Sequence, residues 1–425
     1  MRILHVTPYY RPRTGGAETH ATEVCEHLVR RGHDVTVLSM MGAEESSEPS
    51  AEREMIGGVK VFRYTPADRT MAAYNRCLEM RGAHRLLGAT IGAGFRQMLS
   101  IGPYSLLPFW AAMGRLDVVA VSNWYCASLP FQLCQARRFR RFALVGTPFF
   151  HTERPWATSP LYAGMLARCD AVVAMTEHEK AFVEERSGVR NAHVVGVGVD
   201  PDRFARADGA AVRARYGIGS APVVGYVGRM AATKGIATLI AAMKIVWARE
   251  PGVRLLLAGA GSSSSSGTES VAAMVEGLSR DERRRVVTVG RFDEKEKASI
   301  FDAVDVFAMP SVAESFGIAY LEAWMCRKPV IGASIPSTTC VIDEGVDGML
   351  VQPGDSDALA RSILVLLSNR ALRERLGDAG HTKTVERFTW RRIADRLEQI
   401  YEQASARVRV PAMAGAPADG TFARK

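Results

Sequence analysis

Short apolar, β-branched runs alternate with amphipathic stretches along almost the whole chain, a pattern that predicts parallel strands buried on both faces and covered by helices. A first series of strands is predicted at 2–7, 34–39, 59–64, 118–121, 142–146, 171–175 and 192–195. The series pauses where Gly and Pro crowd together in Val197-Gly-Val-Asp-Pro-Asp-Arg-Phe. It restarts at 223–227, 254–258, 286–289, 306–309, 329–332 and 348–351. Two α/β domains are implied, at 1–200 and 201–385, with the linker at 196–210. Beyond Gly354 the pattern turns helical and closes on a helix at 388–404, within a segment placed at 386–404. Residues 405–425, rich in Ala, Gly and Pro, are expected to be disordered.

Composition is that of an ordinary globular protein, 47% hydrophobic and 23% charged over 425 residues, with room for two or three sizeable cores. No apolar run approaches the roughly 18 residues of a spanning helix, and the opening Met1-Arg-Ile-Leu-His-Val lacks a signal-peptide core. Seven cysteines, an odd number with no Cys-x-x-Cys pair, argue against a disulfide framework or a structural zinc. A cytoplasmic protein is therefore expected. The net charge of +9 is unevenly placed: residues 60–170 hold 14 Lys and Arg against 5 Asp and Glu, which accounts for the whole excess. That segment has no helix-turn-helix, zinc finger or aromatic RNA-binding pattern, so an anionic membrane surface or acidic acceptor is expected rather than nucleic acid. Five serines at 262–266 read as a surface loop.

The densest chemistry lies in Pro310-Ser-Val-Ala-Glu-Ser-Phe-Gly-Ile-Ala-Tyr-Leu-Glu-Ala, where Glu314 and Glu322 stand eight residues apart. Read as one helix, Glu314 falls at its mouth and Glu322 about 12 Å further along, near the same face. Phe316, Gly317 and Ile318 would then offer backbone N–H groups with no partner inside the helix, an arrangement that attracts phosphate. Carboxylates beside a phosphate site fit a sugar nucleotide if they are aimed at hydroxyls; a merely solvated helix face is the plainer alternative. Val227-Gly-Arg-Met-Ala-Ala-Thr-Lys-Gly places Arg229 and Lys234 in the loop after the first strand of the second series, where open α/β sheets bind ligands. A guanidinium fork and a point charge there suit a diphosphate without demanding a metal.

In the first half, Gly15-Gly16 follows a strand and opens a helix, so that backbone can approach a ligand. It is not Gly-x-Gly-x-x-Gly, which disfavours a nicotinamide cofactor. His151 follows the 142–146 strand and can face an interdomain cleft. The two Asp-x-Asp strings, at Asp200 and Asp355, read as turns or helix caps rather than as a metal site.

Taken in order, Gly15-Gly16, His151, Gly228-Arg229 with Lys234-Gly235, Gly259-x-Gly261, and Glu314 with Glu322 resemble the retaining glycosyltransferases of family 4 (glycosyl transferases group 1), over about residues 1–402. The resemblance implies the GT-B fold: two facing Rossmann-like doubly wound domains, with a C-terminal helix crossing back to the first. It implies that Glu322 binds the nucleotide ribose and Glu314 the donor-sugar hydroxyls. Arg229 and Lys234 would stabilise the departing diphosphate, Gly16 would meet it from the other domain, and His151 would lie beside the transferred sugar. Gly15, Gly228, Gly259, Arg291, Ser315, Phe316, Gly317 and Ile318 complete the implied nucleotide-sugar contacts. One departure is visible: a Gly-Gly-x-Pro-Glu-like stretch is replaced by Ala333-Ser-Ile-Pro-Ser-Thr-Thr-Cys, so no contact is carried over for that loop.

The function implied is metal-independent transfer of a hexose from a nucleotide diphosphate sugar, a co-substrate rather than a cofactor, to an acceptor hydroxyl. A sugar-nucleotide epimerase of the same fold and a binding scaffold without turnover are the rival readings. The first domain would hold the acceptor. Arg137-Arg-Phe-Arg-Arg141 and an apolar stretch at 86–110 fit docking on an anionic bilayer, hence a lipid-linked acceptor used in a cell-surface glycan, in contrast to a soluble acceptor.

Overall fold

The computed structural model describes residues 1–13, 15–40, 53–64, 114–124, 128–137, 139–152, 155–261 and 270–409. The apolar stretch at 86–110, the serine run at 262–266 and residues 410–425 lie outside the described residues. In the first half the strands are β1 (Arg2–Val6), β2 (Asp34–Met40), β3 (Arg53–Ile56), β4 (Val59–Tyr64), β5 (Val118–Ser122), β6 (Ala143–Thr147), β7 (Ala171–Ala174) and β8 (Ala192–Val194). The second half holds β9 (Val223–Val227), β10 (Arg254–Ala258), β11 (Val286–Val289), β12 (Val306–Met309), β13 (Val330–Ala333) and β14 (Gly348–Val351).

They form two sheets, ordered β3-β4-β2-β1-β5-β6-β7-β8 and β11-β10-β9-β12-β13-β14. Every pairing is parallel except the β3–β4 hairpin at the edge of the first sheet. Burial explains why the strands read so clearly in sequence: β5, β6, β7, β9, β12 and β13 are buried at every position, as parallel strands covered on both faces must be. β3 was not legible because Arg53-Glu-Met-Ile alternates exposed and half-buried positions, which suits an edge strand.

In each sheet the order of connection reverses once, beside β1 in the first and beside β9 in the second. At such a switch point neighbouring loops depart in opposite directions and leave a crevice at the carboxyl ends of the strands. The two crevices face each other, and the chain crosses between the domains twice. The crossings touch: Val199 N–H donates to Phe388 O at 2.8 Å and Trp390 N–H to Val199 O at 3.1 Å.

The last helix, Trp390–Arg409, packs on the helix Gly16–Arg30 and on β6, so it returns to the first domain. Its buried residues Trp390, Ile393, Leu397, Ile400, Tyr401 and Ala404 make one stripe at helical spacing. Arg31 bonds Glu398 at 2.6 Å and also Asp395, and His33 meets Glu398 at 2.6 Å. The helix begins two residues later than the sequence suggests because Phe388 and Thr389 are engaged in the crossing. It also outlasts residue 404, with Arg409 held 2.5 Å from Asp117. Residues 405–409 are therefore ordered helix, which corrects their assignment to a disordered tail.

Candidate active site

The loops after β9 and β12, the two neighbours at the second switch point, are joined by an ion pair. Lys234, at the end of the short 3-10 turn Ala232–Lys234, donates from Nζ to Glu314 Oε1 at 2.5 Å. Backbone ties the same loops, Val312 N–H donating to Thr233 O at 2.9 Å. Two buried tyrosines brace the strand ends, Tyr226 Oη donating to Arg229 O and Tyr320 Oη to Met309 O, each at 2.7 Å. Burial and the Glu314 charge raise both phenol pKa values, so each stays a donor. Arg229 is exposed, and its guanidinium makes no hydrogen bond or ion pair among the described residues. Gly259 has a packing reason of its own, since a Cβ there (φ +140°) would stand 1.9 Å from Gly228 O, and a Cβ on Gly228 would press on Tyr226 Oη at 3.2 Å.

The placement of Glu314 and Glu322 on one helix face is corrected. The helix is Ile318–Met325, opened by Gly317 in the left-handed region at φ 91° with no side-chain cap. A left-handed residue cannot belong to the helix, so Glu314 and Ser315 lie in the loop before it. Glu322 is on the helix and only 6% exposed; Glu314 is 9% exposed. Each carboxylate has a lysine of its own. Lys297 Nζ lies 2.6 Å from Glu322 Oε1, so the two glutamates serve different places rather than one stripe. Phe316 is buried edge-on to Phe388, 5.5 Å between ring centres, and ties this loop to the second crossing.

In the first domain, Gly15 and Gly16 are exposed at the mouth of Gly16–Arg30. Among the described residues nothing lies within 4 Å of where a Gly16 Cβ would be, so no packing among them calls for glycine there. His151 follows β6 and is half-buried. Its loop is pinned by Glu179, which accepts from Phe150 N–H through Oε1 and from Met175 N–H through Oε2, both at 2.7 Å. Burial lifts the Glu179 carboxyl to about 7. His20, buried from the same side, meets Phe149 and Trp390 edge-on at 5.1 and 5.8 Å.

Between the domains lies a cavity of about 800 Å³, lined by Arg11, Arg13 and Thr19 of the first domain, Arg203 and Arg206 of the linker, and Lys295 of the second. A recess of about 30 Å³ adjoins it, reaching Ile318, Glu322 and Lys297. Arg203 and Glu23 form an ion pair across the gap, and Arg11 stands 3.5 Å from Glu23. Arg291 is exposed just beyond β11. Arg229, Lys234 and Glu314 thus stand in the two loops at the switch point, whereas Arg291 follows the edge strand β11, and of the candidates only Ile318 and Glu322 line the recess; Gly15, Gly16 and His151 belong to the other domain. Sequence reasoning missed Lys297, Arg203 and Glu179, which sit in charged runs or the linker with no spacing to mark them. Asp200 and Asp355 cap helices, accepting from Asp202 N–H and Ala358 N–H. Among the described residues no group of three or more His, Cys, Asp or Glu is arranged around a common point.

Two doubly wound domains facing across a charged cleft, with an ion pair at the switch point of the second, define the GT-B fold. Residues 14–203 match the model of "Glycosyltransferase Family 4" and residues 221–369 that of "Glycosyl transferases group 1". A D-inositol 3-phosphate glycosyltransferase of Geodermatophilus obscurus is 30% identical, covering 99% of this chain and 92% of its own. A phosphatidyl-myo-inositol mannosyltransferase of Propionibacterium freudenreichii is 27% identical over 95% of each chain. Among solved structures, Anabaena Alr3699/HepE in complex with UDP and glucose superposes with a TM-score of 0.69 at 18% identity, over 95% of this chain and 100% of that one. The chain belongs to glycosyltransferase family 4.

Proposed function

We propose that this enzyme moves a hexose from a nucleoside diphosphate sugar to an acceptor hydroxyl with retention at the anomeric carbon and without a metal ion. The observation that carries the reading is the Lys234–Glu314 contact at the second switch point, beside the unpaired Arg229. It sets an ammonium and a guanidinium where a diphosphate would lie, and a carboxylate where sugar hydroxyls would follow. Ile318 N–H at the open start of its helix adds a donor.

In this scheme the bond from the anomeric carbon to the phosphate oxygen breaks first, and the charge growing on that oxygen is met by Arg229 and Lys234. The same oxygen takes the proton of the acceptor hydroxyl as the new bond forms on the same face. No protein nucleophile is needed. Glu314 orients the sugar, Glu322 holds the ribose, Gly16 leaves room for the diphosphate, and His151 lies against the transferred sugar.

A UDP-hexose donor is supported by the UDP and glucose in the Anabaena structure. The names of the two relatives share an inositol phosphate, which supports an acceptor of that class, and the second carries it on a lipid; we extend the reading to a lipid-linked acceptor used in building a cell-surface glycan. For the membrane-bound form, Phe139 is 88% exposed beside the exposed Arg141. Arg137 is committed to Asp170 at 2.9 Å and Arg140 to Gly114 O at 3.1 Å, so only part of this basic turn is available to a bilayer. Among the described residues no helix is long and apolar enough to cross a membrane, and we place the enzyme peripherally at the cytoplasmic face.

The test incubates the full chain with UDP-glucose or GDP-mannose, and with myo-inositol 3-phosphate or phosphatidylinositol vesicles, with and without EDTA. An axial donor linkage retained in the product by NMR coupling constants, surviving EDTA, is expected. An inverted product, epimerised donor without acceptor consumption, or a metal-reversible loss of all activity would overturn the reading.

A further inference from the structure

Lys297 opens the helix Lys297–Asp302 with its ammonium 2.6 Å from Glu322 Oε1 and 3.7 Å from Glu294 Oε2. Both partners of the shorter contact are largely withdrawn from water, at 21% and 8% side-chain exposure. Oε1 is thus engaged, while no hydrogen bond to Oε2 is made among the described residues. Lys297 and Glu322 line the recess at the inner end of the interdomain cavity together with Thr19, Val199, Arg203 and Ile318.

We infer that Lys297 is the positioning residue of the nucleoside subsite: it fixes Glu322 through one carboxylate oxygen and leaves the other to accept hydrogen bonds from a ribose diol. The inference rests on the reading of Glu322 as the ribose contact and adds the residue that makes that contact workable. A carboxylate buried alone takes up a proton, and a protonated carboxyl gives up part of its acceptor capacity. The groups that face this carboxylate are Lys297, Glu294 and Arg203. Burial, with Glu294, pushes the Glu322 carboxyl above its ordinary value, against the downward pull of Lys297 and Arg203. The ammonium of Lys297 is favoured in turn, since Glu322 and Glu294 outweigh its burial and Arg203. Lys297 is the nearest of the cations, so its removal takes away the closest opposition to burial and Glu294 and drives the carboxyl further up.

The experiment is calorimetric titration of the full chain with UDP and with GDP from pH 5.5 to 9, on wild type, K297M, K297R and E322Q. K297M is expected to weaken nucleotide binding at least tenfold at pH 7 and to recover as pH rises and Glu322 ionises again. K297R should stay within about threefold of wild type at every pH. Thermal melts of all four variants separate misfolding from lost binding. Wild-type affinity in K297M, or a loss of the same size at every pH, would overturn the inference. The reading beneath it fails differently: E322Q would bind as tightly as wild type. If E322Q weakens binding and K297M does not, Glu322 keeps its role and Lys297 loses the one assigned to it.

Discussion

At the scale of single residues, the two cations of the candidate site are not equivalent, although they stand five positions apart in one loop. Arg229 is exposed and uncommitted, whereas Lys234 neutralises a buried glutamate. R229A is therefore expected to lower kcat about a hundredfold, the usual cost of losing one charge-stabilising donor of about 3 kcal/mol, with an unchanged melting temperature. K234A should lose as much activity and also several degrees of melting temperature, because breaking a buried pair strands Glu314 at a cost of about 3–5 kcal/mol. Near wild-type turnover in both would remove these residues from the reaction. Glu179 gives a pH prediction. Unfolded, it titrates at its ordinary 4.5; folded, at about 7. The folded state holds the extra proton between these values, so this group's contribution is full below 4.5 and is lost as pH rises through 7, by at most about 1.4 kcal/mol per unit. The pH dependence of the melt should flatten over that window in E179Q, and an unchanged slope would contradict it. The positions of Arg229 and Lys234 in the loop after β9 and of Glu322 on the helix after β12 were legible because strand ends and apolar spacing mark those elements. Lys297 was not, since Glu294-Lys-Glu-Lys reads as solvated surface and only the fold turns its last lysine inward.

At the scale of elements, the strands were readable because burial on both faces leaves an unbroken apolar run, and β3 escaped because it has no buried face to reveal it. The helix after β12 shows a different limit. Apolar spacing continues across Phe316-Gly-Ile-Ala, but Gly317 is left-handed and starts the helix four residues beyond Glu314, a backbone fact that periodicity does not carry. The closing helix was found by its stripe, and its ends were set by contacts outside it. Leu397, 1% exposed in the centre of that stripe, gives the element a test. L397A is expected to destabilise the first domain by about 2–5 kcal/mol, read as a lowered denaturant midpoint at unchanged slope. A shift within error of wild type would mean that the helix is not part of that domain's cooperative unit.

At the scale of the molecule, the two domains approach most closely where the linker passes between them. The recess beside Glu322 is a narrow offshoot, about 30 Å³, of the 800 Å³ cavity, with Thr19 and Arg203 lining it together with Ile318 and Glu322. Parting the first domain from the linker, in the manner of hinge closure around a ligand, is the motion that would widen this recess for a nucleoside seated against Glu322. Across that gap runs the Arg203–Glu23 pair, while Arg11 contacts Glu23 from within the first domain; Glu23 is 2% exposed on the helix that Gly16 opens and Arg203 lies on the linker helix Pro201–Phe204. The crossings lie just behind, where a Cβ on Gly198 would come within 2.7 Å of the Trp390 backbone, so the hinge itself is tightly packed. The glutamate is then the removable part of the closed state: E23Q keeps the shape of the side chain and withdraws its charge from both arginines. Ligand-free E23Q is expected to have a larger radius of gyration by small-angle scattering than wild type. Its association rate for UDP or GDP in stopped flow should be several-fold higher, because the open form is the one a nucleotide can enter. Unchanged scattering together with an unchanged association rate would show that Glu23 does not hold the cleft shut.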